Sequence, residues 1–310
     1  MPHLLSREGK LRFNEVTWLN DLDLIKISNQ RALLDGNNLL AQLIHNRRVV
    51  YIQEFLKHYF DHIKPSYLFA TGDVNPRLSS QNVGQLYWVE LPFMLVGLYF
   101  LLRSKNNASW LIFAWLILAP IPAALARETP HALRSENILP IPQLVIAYGI
   151  LMLVLRLRSR INMKTALFVL SALYGISLSY YLNGYYKVYA QKYGSQWQDG
   201  YKQMVEYVKG VQDNYDYIYV TSDYGRPYIY LLFYEQTDPA YYWRTRNVNR
   251  DWYGFWYVYG FGKYMFTEPK IPGHWLIVDT GKQTTLQNNL LKTIYDSSGG
   301  PVFNVYEKTL

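Results

Sequence analysis

WLIFAWLILAPIPAALARETPHALRSENILPIPQLVIAYGILMLVL, residues 110–155, contains two long apolar runs separated by a short polar loop. Each run approaches the roughly 20 residues that an α-helix needs to cross a hydrocarbon core of about 30 Å. The loop, residues 127–136, carries two arginines and two glutamates and therefore has no net charge. This stretch predicts two membrane-spanning helices that are joined by a short connection at one membrane surface.

Two further apolar runs flank this pair, LYWVELPFMLVGLYFLL at residues 86–102 and TALFVLSALYGISLSYYLNGYY at residues 165–186. Four such runs, close in sequence and joined by short linkers, favour a membrane bundle over four buried helices of a soluble protein. The predicted transmembrane helices are residues 86–102, 110–126, 137–155 and 165–186.

The linkers between the runs determine the predicted orientation. Residues 103–109 carry two basic side chains, residues 156–164 carry four, and neither linker contains an acid. Basic loops of this kind remain in the cytoplasm. With an even number of spans, residues 1–85 and 187–310 then both lie outside the cytoplasm. We predict a multi-pass protein of the plasma (cytoplasmic) membrane with both termini extracytoplasmic.

The composition agrees with a membrane protein. The net charge of +8 comes mostly from the two basic linkers, which indicates membrane lipid as a partner, and the sequence shows no basic stripe for nucleic acid. No cysteine occurs in 310 residues, which excludes disulfides and thiolate zinc sites. The N-terminus, MPHLLSREGKLRFNEV, lacks the apolar core of a secretory signal. We therefore expect this chain to be the C-terminal part of a longer membrane protein whose preceding spans carry residues 1–85 outward.

The two flanking regions differ in pattern. Apolar residues at helical spacing over residues 50–63 predict an amphipathic helix that ends before Pro65. In residues 187–310, alternating helical and strand-like patterns predict a small α/β domain with a partly parallel sheet. The predicted elements of this domain are a helix at 197–211, a strand at 215–222, a helix from Pro227, a strand at 274–281, a helix at 284–296 and a strand at 301–308.

The predicted organisation thus has three parts: an extracytoplasmic loop region with an amphipathic helix (1–85), a four-helix transmembrane region (86–186) and an extracytoplasmic α/β domain (187–310). Aromatic residues crowd positions 241–266 of the last part. We interpret them as core or membrane-interface packing in preference to sugar stacking.

Candidate binding residues concentrate in the loop between the second and third runs. Two prolines at the end of the second run and one in the loop interrupt regular helix, so backbone groups must find partners in a protein-lined or watery cavity. Arg127, His131 and Arg134 stand together in this loop. Their guanidinium groups can hold a phosphate and the imidazole can add a donor. Interfacial snorkelling with local salt bridges is the alternative, and the residues alone leave the two interpretations even.

GDVNPR, residues 72–77, forms a second candidate cluster and adds Asp73 and Arg77 to the predicted substrate-binding residues. Closure of a turn through backbone amides is the alternative for Asp73. Glu90 is an acid one turn inside the first predicted span, close enough to its outer end to reach water. We interpret the tripeptide DTG at 279–281 as a turn. The sequence contains no Gly-rich phosphate loop, HExxH, GxSxG or paired-carboxylate spacing.

Four segments, in order over nearly the whole chain, resemble the C-terminal half of bacterial GT-C glycosyltransferases related to dolichyl-phosphate-mannose protein mannosyltransferases. They are HYFDHIKPSYLFATGDVNPR, GQLYWVELPFMLVGLYFLL, LAPIPAALARETPHALRSENILPIP and WQDGYKQMVEYVKGVQDNYDYIYVTSDYGRPYIYLLFY. PIPAAL followed by PHALR is the most distinctive pattern. The resemblance implies transfer of a sugar from a polyprenyl-phosphate donor to an acceptor at the outer membrane face, and it favours phosphate binding by Arg127, His131 and Arg134.

The resemblance also indicates what this sequence lacks. Family members carry catalytic acids in an N-terminal half that is absent here, and neither Asp73 nor Glu90 matches their position. The prediction is a GT-C-like α-helical integral membrane protein, a glycosyltransferase portion that is inactive without its N-terminal half and that stabilises the leaving lipid phosphate. Catalytic residues, acceptor and cofactor stay unassigned. The competing interpretation is a non-catalytic membrane sensor or assembly subunit with an extracytoplasmic ligand-binding domain. A transporter finds little support, because no charge lies mid-span.

Overall fold

The structure is a computed structural model that describes residues 7–104, 106–250, 254–268, 270–280 and 289–310. The chain divides into two compact units, Met1–Tyr186 and Lys187–Leu310. The first unit contains both the predicted loop region and the predicted membrane region. The second unit covers the predicted α/β domain.

The described part of the first unit is helical. Its α-helices are α1 (Arg7–Val16), α2 (Leu22–Leu34), α3 (Leu39–Ile44), α4 (Arg47–Asp61), α5 (Glu90–Arg103), α6 (Asn107–Leu118), α7 (Ile121–Ala124), α8 (Ile141–Leu157) and α9 (Met163–Asn183). Several begin at a side chain that accepts a backbone N–H of the first turn: Asp21, Asn38, Asn46, Asn106 and Asn162. The predicted amphipathic helix is confirmed as α4, which ends ahead of Pro65.

Among the described residues, two helical runs are long and apolar enough to cross a membrane. They are Asn107–Ala124, which contains α6 and α7, and Met163–Trp197, which begins with α9. Only 28% of the first apolar window and none of the second is buried within the protein, so neither is a buried core helix. The other two predicted spans form shorter helices, α5 with 14 residues and α8 with 17. Helix α8 begins at Ile141 because proline suits only the first helical turn.

Helices α5 and α8 approach each other closely through glycines. A Cβ added to Gly97 would lie 2.1 Å from the carbonyl oxygen of Val145, and one added to Gly149 would lie 1.9 Å from that of Phe93. Small residues permit such an approach, which is common between membrane helices. The contact holds α8, whose N-terminal end follows the candidate binding loop.

Glu90 connects α5 to α9. Its carboxylate accepts the backbone N–H of Tyr87 at 2.7 Å and the hydroxyl of Tyr174 at 3.1 Å. The first bond caps the beginning of α5, and the second joins two helices that are far apart in sequence. The Glu90 carboxylate, which lies in a predicted membrane span, is therefore hydrogen-bonded by two donors.

The second unit is an α/β domain with a mixed sheet. Its described α-helices and strands are α10 (Ala190–Tyr193), α11 (Tyr201–Val211), β1 (Tyr217–Val220), α12 (Pro227–Glu235), α13 (Pro239–Thr245), β2 (Asn247–Arg250), β3 (Trp256–Phe261), β4 (Tyr264–Met265), β5 (His274–Asp279), β6 (Leu290–Tyr295) and β7 (Pro301–Thr309). The strand order is β2-β3-β4-β1-β5-β7-β6. Strand β1 is parallel to β4 and β5, and the other pairs are antiparallel. The predicted partly parallel sheet is confirmed.

The predicted helix at residues 284–296 is wrong over its described part. Residues 281–288 lie outside the described residues, but Leu290–Tyr295 forms strand β6, antiparallel to β7. The turn between the strands is closed by Asp296, whose carboxylate accepts the backbone N–H groups of Ser298 and Gly300, each at 2.9 Å. Pairing with β7 outweighs the helical spacing of the apolar residues, since tertiary context overrides local propensity.

The aromatic segment at residues 241–266 divides between core and surface. Its buried rings include those of Phe261, Tyr264 and Phe266. Trp243 and Trp256 are exposed and carry arginines on their faces: the Arg246 guanidinium lies 3.5 Å from the Trp243 ring centroid, and that of Arg250 lies 5.0 Å from Trp256. Residues 251–253 lie outside the described residues. The core interpretation therefore holds for part of this segment.

Replacing Gly149 by alanine is expected to destabilise the first unit by about 1–3 kcal/mol, because the added methyl must push α5 and α8 apart. Gly175→Ala in α9 is a matched control, because a Cβ there meets no atom within 4 Å. The control should be neutral or slightly stabilising. Thermal unfolding in detergent measures the difference. Equal melting temperatures of the two variants would contradict the close helix contact.

Candidate functional site

The candidate site is built on the loop between α7 and α8. Where this loop begins, backbone carbonyls at the end of α7 accept hydrogen bonds from the segment that follows α1. The indole Nε1 of Trp18 donates to the carbonyl of Ala124 at 2.8 Å, and the hydroxyl of Thr17 donates to that of Leu125 at 3.1 Å. Thr17 also forms an isolated antiparallel β-bridge with Ala126. Two backbone carbonyls at the end of α7 are thus satisfied by protein donors.

Arg127 is held by the same segment. Its backbone N–H donates to the carbonyl of Val16 at 2.9 Å, and its side-chain Nε donates to the carbonyl of Thr17 at 2.9 Å. The side chain is exposed, and the described residues offer no hydrogen-bond acceptor to its two terminal amino groups. These groups carry four of the five donors of a guanidinium. Arg127 is therefore positioned at one nitrogen and open to an anion at the others.

Arg134 lies in a 3-10 helix, Leu133–Ile138, and approaches Glu128. One guanidinium nitrogen is 3.5 Å from the carbonyl oxygen of Glu128, and another is 3.9 Å from its carboxylate. Glu128 is largely exposed, and surface ion pairs of this kind contribute less than about 1 kcal/mol. A bound anion would replace this contact at little cost.

Arg127 and Arg134 line one open pocket of about 210 Å³, together with Glu15, Val16 and Glu128. Two of the three predicted members of the loop site therefore meet in one place. Two arginines and two glutamates balance in formal charge, so the pocket does not attract anions by net charge alone. Its suitability for phosphate depends on the directed donors of the guanidinium groups.

His131, the third predicted member, does not line this pocket. Its ring is buried, and its Nδ1 accepts the backbone N–H of Arg134 at 3.3 Å. The imidazole therefore contacts the backbone of the loop, and its role as a phosphate donor stays a prediction. His131 acts on the pocket through the position of Arg134.

A second buried histidine holds the same loop from α4. His62 donates from Nδ1 to the carbonyl of His58 at 2.9 Å, and its Nε2 accepts the backbone N–H of His131 at 3.2 Å. This pattern requires a neutral ring, because a protonated imidazole has no acceptor. Burial lowers the pKa of His62. Burial, and then the charge of Arg134, lower the pKa of His131, so both rings stay neutral.

The predicted cluster at residues 72–77 contributes one positioning residue. Asp73 is buried, with one carboxylate oxygen accepting the N–H of Ala132 at 2.6 Å and the other accepting that of Asn75 at 2.7 Å. Asp73 therefore closes a turn, as in the alternative interpretation of the sequence, and it also bonds to the loop between α7 and α8. Arg77 is exposed, donates its backbone N–H to the side-chain oxygen of Asn75 and does not line the pocket.

Further polar groups complete the support of the loop. Asp61 accepts the hydroxyl of Thr129 at 2.8 Å and pairs with Lys64 at 2.6 Å. Burial raises the pKa of Asp61, but the hydrogen bonds from Lys64 and Thr129 outweigh it and lower the pKa, which keeps the carboxylate charged. The hydroxyls of Tyr67 and Ser135 share a hydrogen bond of 2.9 Å. Among the described residues, no group of three or more His, Cys, Asp or Glu is arranged to hold a metal ion.

Sequence reasoning missed His62, Thr17 and Trp18. A partial signal existed for His62, because HYFDH at residues 58–62 places two histidines four residues apart, on one face of a helix. Thr17 and Trp18 carry no local signal, since their partners lie more than 100 residues later in the chain. Contacts of that sequence separation are visible only in the folded chain.

Acidification is expected to destabilise the first unit. Because the pKa values of His62 and His131 are lowered on folding, the folded chain binds fewer protons than the unfolded chain. Their contribution to stability is therefore complete above about pH 6.5 and is lost as the pH falls below it, with a slope of at most about 1.4 kcal/mol per pH unit for each histidine.

Thermal unfolding between pH 8 and pH 5 measures this slope. His62→Gln and His131→Gln should each flatten it, because each removes one buried imidazole that accepts a backbone N–H. A slope that is unchanged in both loop variants would contradict the neutral-ring arrangement.

No protein-family model, curated protein or solved structure matches the chain.

Proposed function

We propose that this chain is the portion of a membrane glycosyltransferase that binds the lipid phosphate of a polyprenyl-phosphate-linked sugar donor at the outer membrane face. The observation that carries the proposal is the pocket shared by Arg127 and Arg134, close to the end of an apolar helical run. The sugar is transferred to an acceptor on the same side of the membrane.

Exposed apolar helices support the membrane placement. Helix α9 has no buried residue, and Leu167, Phe168 and Ile176 are 64%, 73% and 68% exposed. Each Å² of such surface left in water costs roughly 25 cal/mol, so a hydrocarbon environment is favoured. In the proposed topology α5 and α8 complete a four-span bundle, and the close glycine contact between them is typical of membrane helices. The basic linkers lie in the cytoplasm and both termini lie outside it.

The two arginines have the properties that a phosphate site requires. A guanidinium presents forked donors that match two phosphate oxygens, and such charge-assisted bonds are roughly twice as strong as neutral ones. Arg127 is held at Nε by Thr17, and Arg134 is held at its backbone by His131. Groups positioned in advance lose little conformational entropy on binding. Helix α7 ends at Ala124, three residues before Arg127, which supports a position of the guanidinium at the level where a lipid phosphate meets the apolar layer.

The proposed reaction assigns this chain one role. An acceptor oxygen attacks the anomeric carbon of the sugar, the bond from that carbon to the phosphate oxygen breaks, and the lipid phosphate leaves with the electron pair. Arg127 and Arg134 stabilise the negative charge that develops on the leaving phosphate. A carboxylate base takes the acceptor proton, and we assign it to no residue of this chain.

The acids of the pocket favour a second candidate function. Glu15 and Glu128 balance the charge of the arginines, as in a structural ion-pair cluster. In that case the chain is a non-catalytic membrane sensor or assembly subunit whose second unit binds a ligand. The two candidates differ in whether the pocket binds a lipid phosphate.

The chain reconstituted in nanodiscs is expected to bind a short-chain polyprenyl phosphate, and Arg127→Gln and Arg134→Gln should each weaken binding roughly 10- to 150-fold. The reason is that one hydrogen bond to a charged group contributes about 1.5–3 kcal/mol. Fluorescence anisotropy with a labelled lipid measures the dissociation constants. The corresponding prenyl alcohol should show no difference between variants.

A double Arg47→Gln, Arg48→Gln variant is the matched control, because these exposed arginines begin α4 and do not line the pocket. It should bind the polyprenyl phosphate as the unaltered chain does. Unchanged binding by a double Arg127→Gln, Arg134→Gln variant would reject the phosphate site and leave the sensor or assembly subunit.

Single cysteines test the proposed topology, because the natural sequence contains none. A membrane-impermeant maleimide is expected to label Glu136→Cys and Ser298→Cys in intact cells, and Ser159→Cys only after permeabilisation. All three positions are exposed, so differences in labelling report the side of the membrane. Labelling of Glu136→Cys and Ser159→Cys from the same side would show that α8 does not span the membrane.

A further inference from the structure

Two open apolar grooves flank the C-terminal half of α8. The larger, about 430 Å³, lies between α8 and α9 and is lined by aliphatic residues that include Ile150, Leu153, Val154, Val169, Leu170 and Leu173. The smaller, about 390 Å³, lies between α5 and α8 and shares Leu153 with the first. Neither groove belongs to the phosphate pocket.

Each groove contains one arginine from the end of α8. Arg158 lines the larger groove, and Arg156 lines the smaller one with its guanidinium 5.4 Å from the Phe100 ring centroid. The following linker adds Arg160 and Lys164, and residues 156–164 contain no acid. Within the described part of the chain, none of these four basic residues forms an ion pair. The positive charge at this end is therefore not neutralised by nearby acids.

Polar groups of the linker also reach the larger groove. Asn162 and Thr165 line it beside Arg158, at the end where α8 stops and α9 begins. Asn162 uses its amide oxygen to accept the N–H of Lys164, which leaves its amide nitrogen as a donor. The groove thus has an aliphatic body along the helices and a polar, basic mouth at the linker.

This end of α8 is far from the pocket of Arg127 and Arg134. The loop of that pocket precedes Ile141, the basic linker follows Leu157, and the 17 residues between them span about 25 Å of helix. One ligand phosphate cannot contact both ends. The basic mouth requires an anion of its own.

We propose that the groove between α8 and α9 binds one acyl chain of an anionic phospholipid, whose headgroup phosphate contacts Arg158 and Arg160. An aliphatic groove accepts hydrocarbon, and a cluster of basic residues next to an apolar helix attracts anionic lipid. A zwitterionic lipid fits the groove equally well but gains less from the uncompensated positive charge. The inference depends on the membrane placement of these helices and not on sugar transfer.

The test uses the full chain in bilayers of equal phosphatidylglycerol and phosphatidylcholine. After extraction in a mild detergent, native mass spectrometry counts the bound lipids. Phosphatidylglycerol should be enriched several-fold over phosphatidylcholine, and a double Arg158→Gln, Arg160→Gln variant should lose this enrichment. Ala166→Trp, which fills the groove without a change of charge, should reduce the bound lipid of both kinds.

The double Arg47→Gln, Arg48→Gln variant removes the same charge from outside the groove and should retain the enrichment. Equal enrichment in the unaltered chain and the Arg158→Gln, Arg160→Gln variant would overturn the proposal. Loss of enrichment in the Arg47→Gln, Arg48→Gln control would also overturn it, because the effect would then follow total charge. Polyprenyl-phosphate binding is measured separately with the Arg127 and Arg134 variants, so failure of one site leaves the other open to test.

Discussion

Backbone carbonyls at the end of α7 are the constraint on which the candidate loop depends. A buried carbonyl without a hydrogen bond costs about 1–3 kcal/mol, and the helix stops where its last carbonyls lose their helical partners. Thr17 and Trp18 supply the missing donors. The same segment accepts two bonds from Arg127. The same short segment therefore both satisfies the carbonyls at the end of α7 and positions the guanidinium of Arg127.

Neutral and charged side chains occupy different sides of this loop. Neutral imidazoles of His62 and His131 lie inside and accept backbone N–H groups, whereas the guanidiniums of Arg127 and Arg134 remain at the pocket. A charged imidazole in the same place would lose its acceptor and repel Arg134. The buried groups thus set geometry, and the groups at the surface are the ones available to a ligand.

The two units differ in how far they bury their apolar side chains. The second unit buries its apolar residues between helices and sheet, with Met204, Ile218 and Leu231 fully inaccessible. In the first unit α9 buries none of its residues, and the grooves beside α8 remain open. The first arrangement suits water and the second suits hydrocarbon, which is the physical basis for the proposed membrane placement and for the lipid proposed at Arg158.

The sequence by itself determined where the apolar runs and their basic linkers lie, the amphipathic helix before Pro65 and the alternation of strands and helices after residue 186. These features follow from local periodicity and composition. It also singled out Arg127 and Arg134. Only the tertiary structure decided that Leu290–Tyr295 is a strand, that His131 and Asp73 hold the loop, and that Thr17 and Trp18 complete it. The reason is that each of these depends on partners distant in sequence, whose hydrogen bonds exist only once the chain has folded.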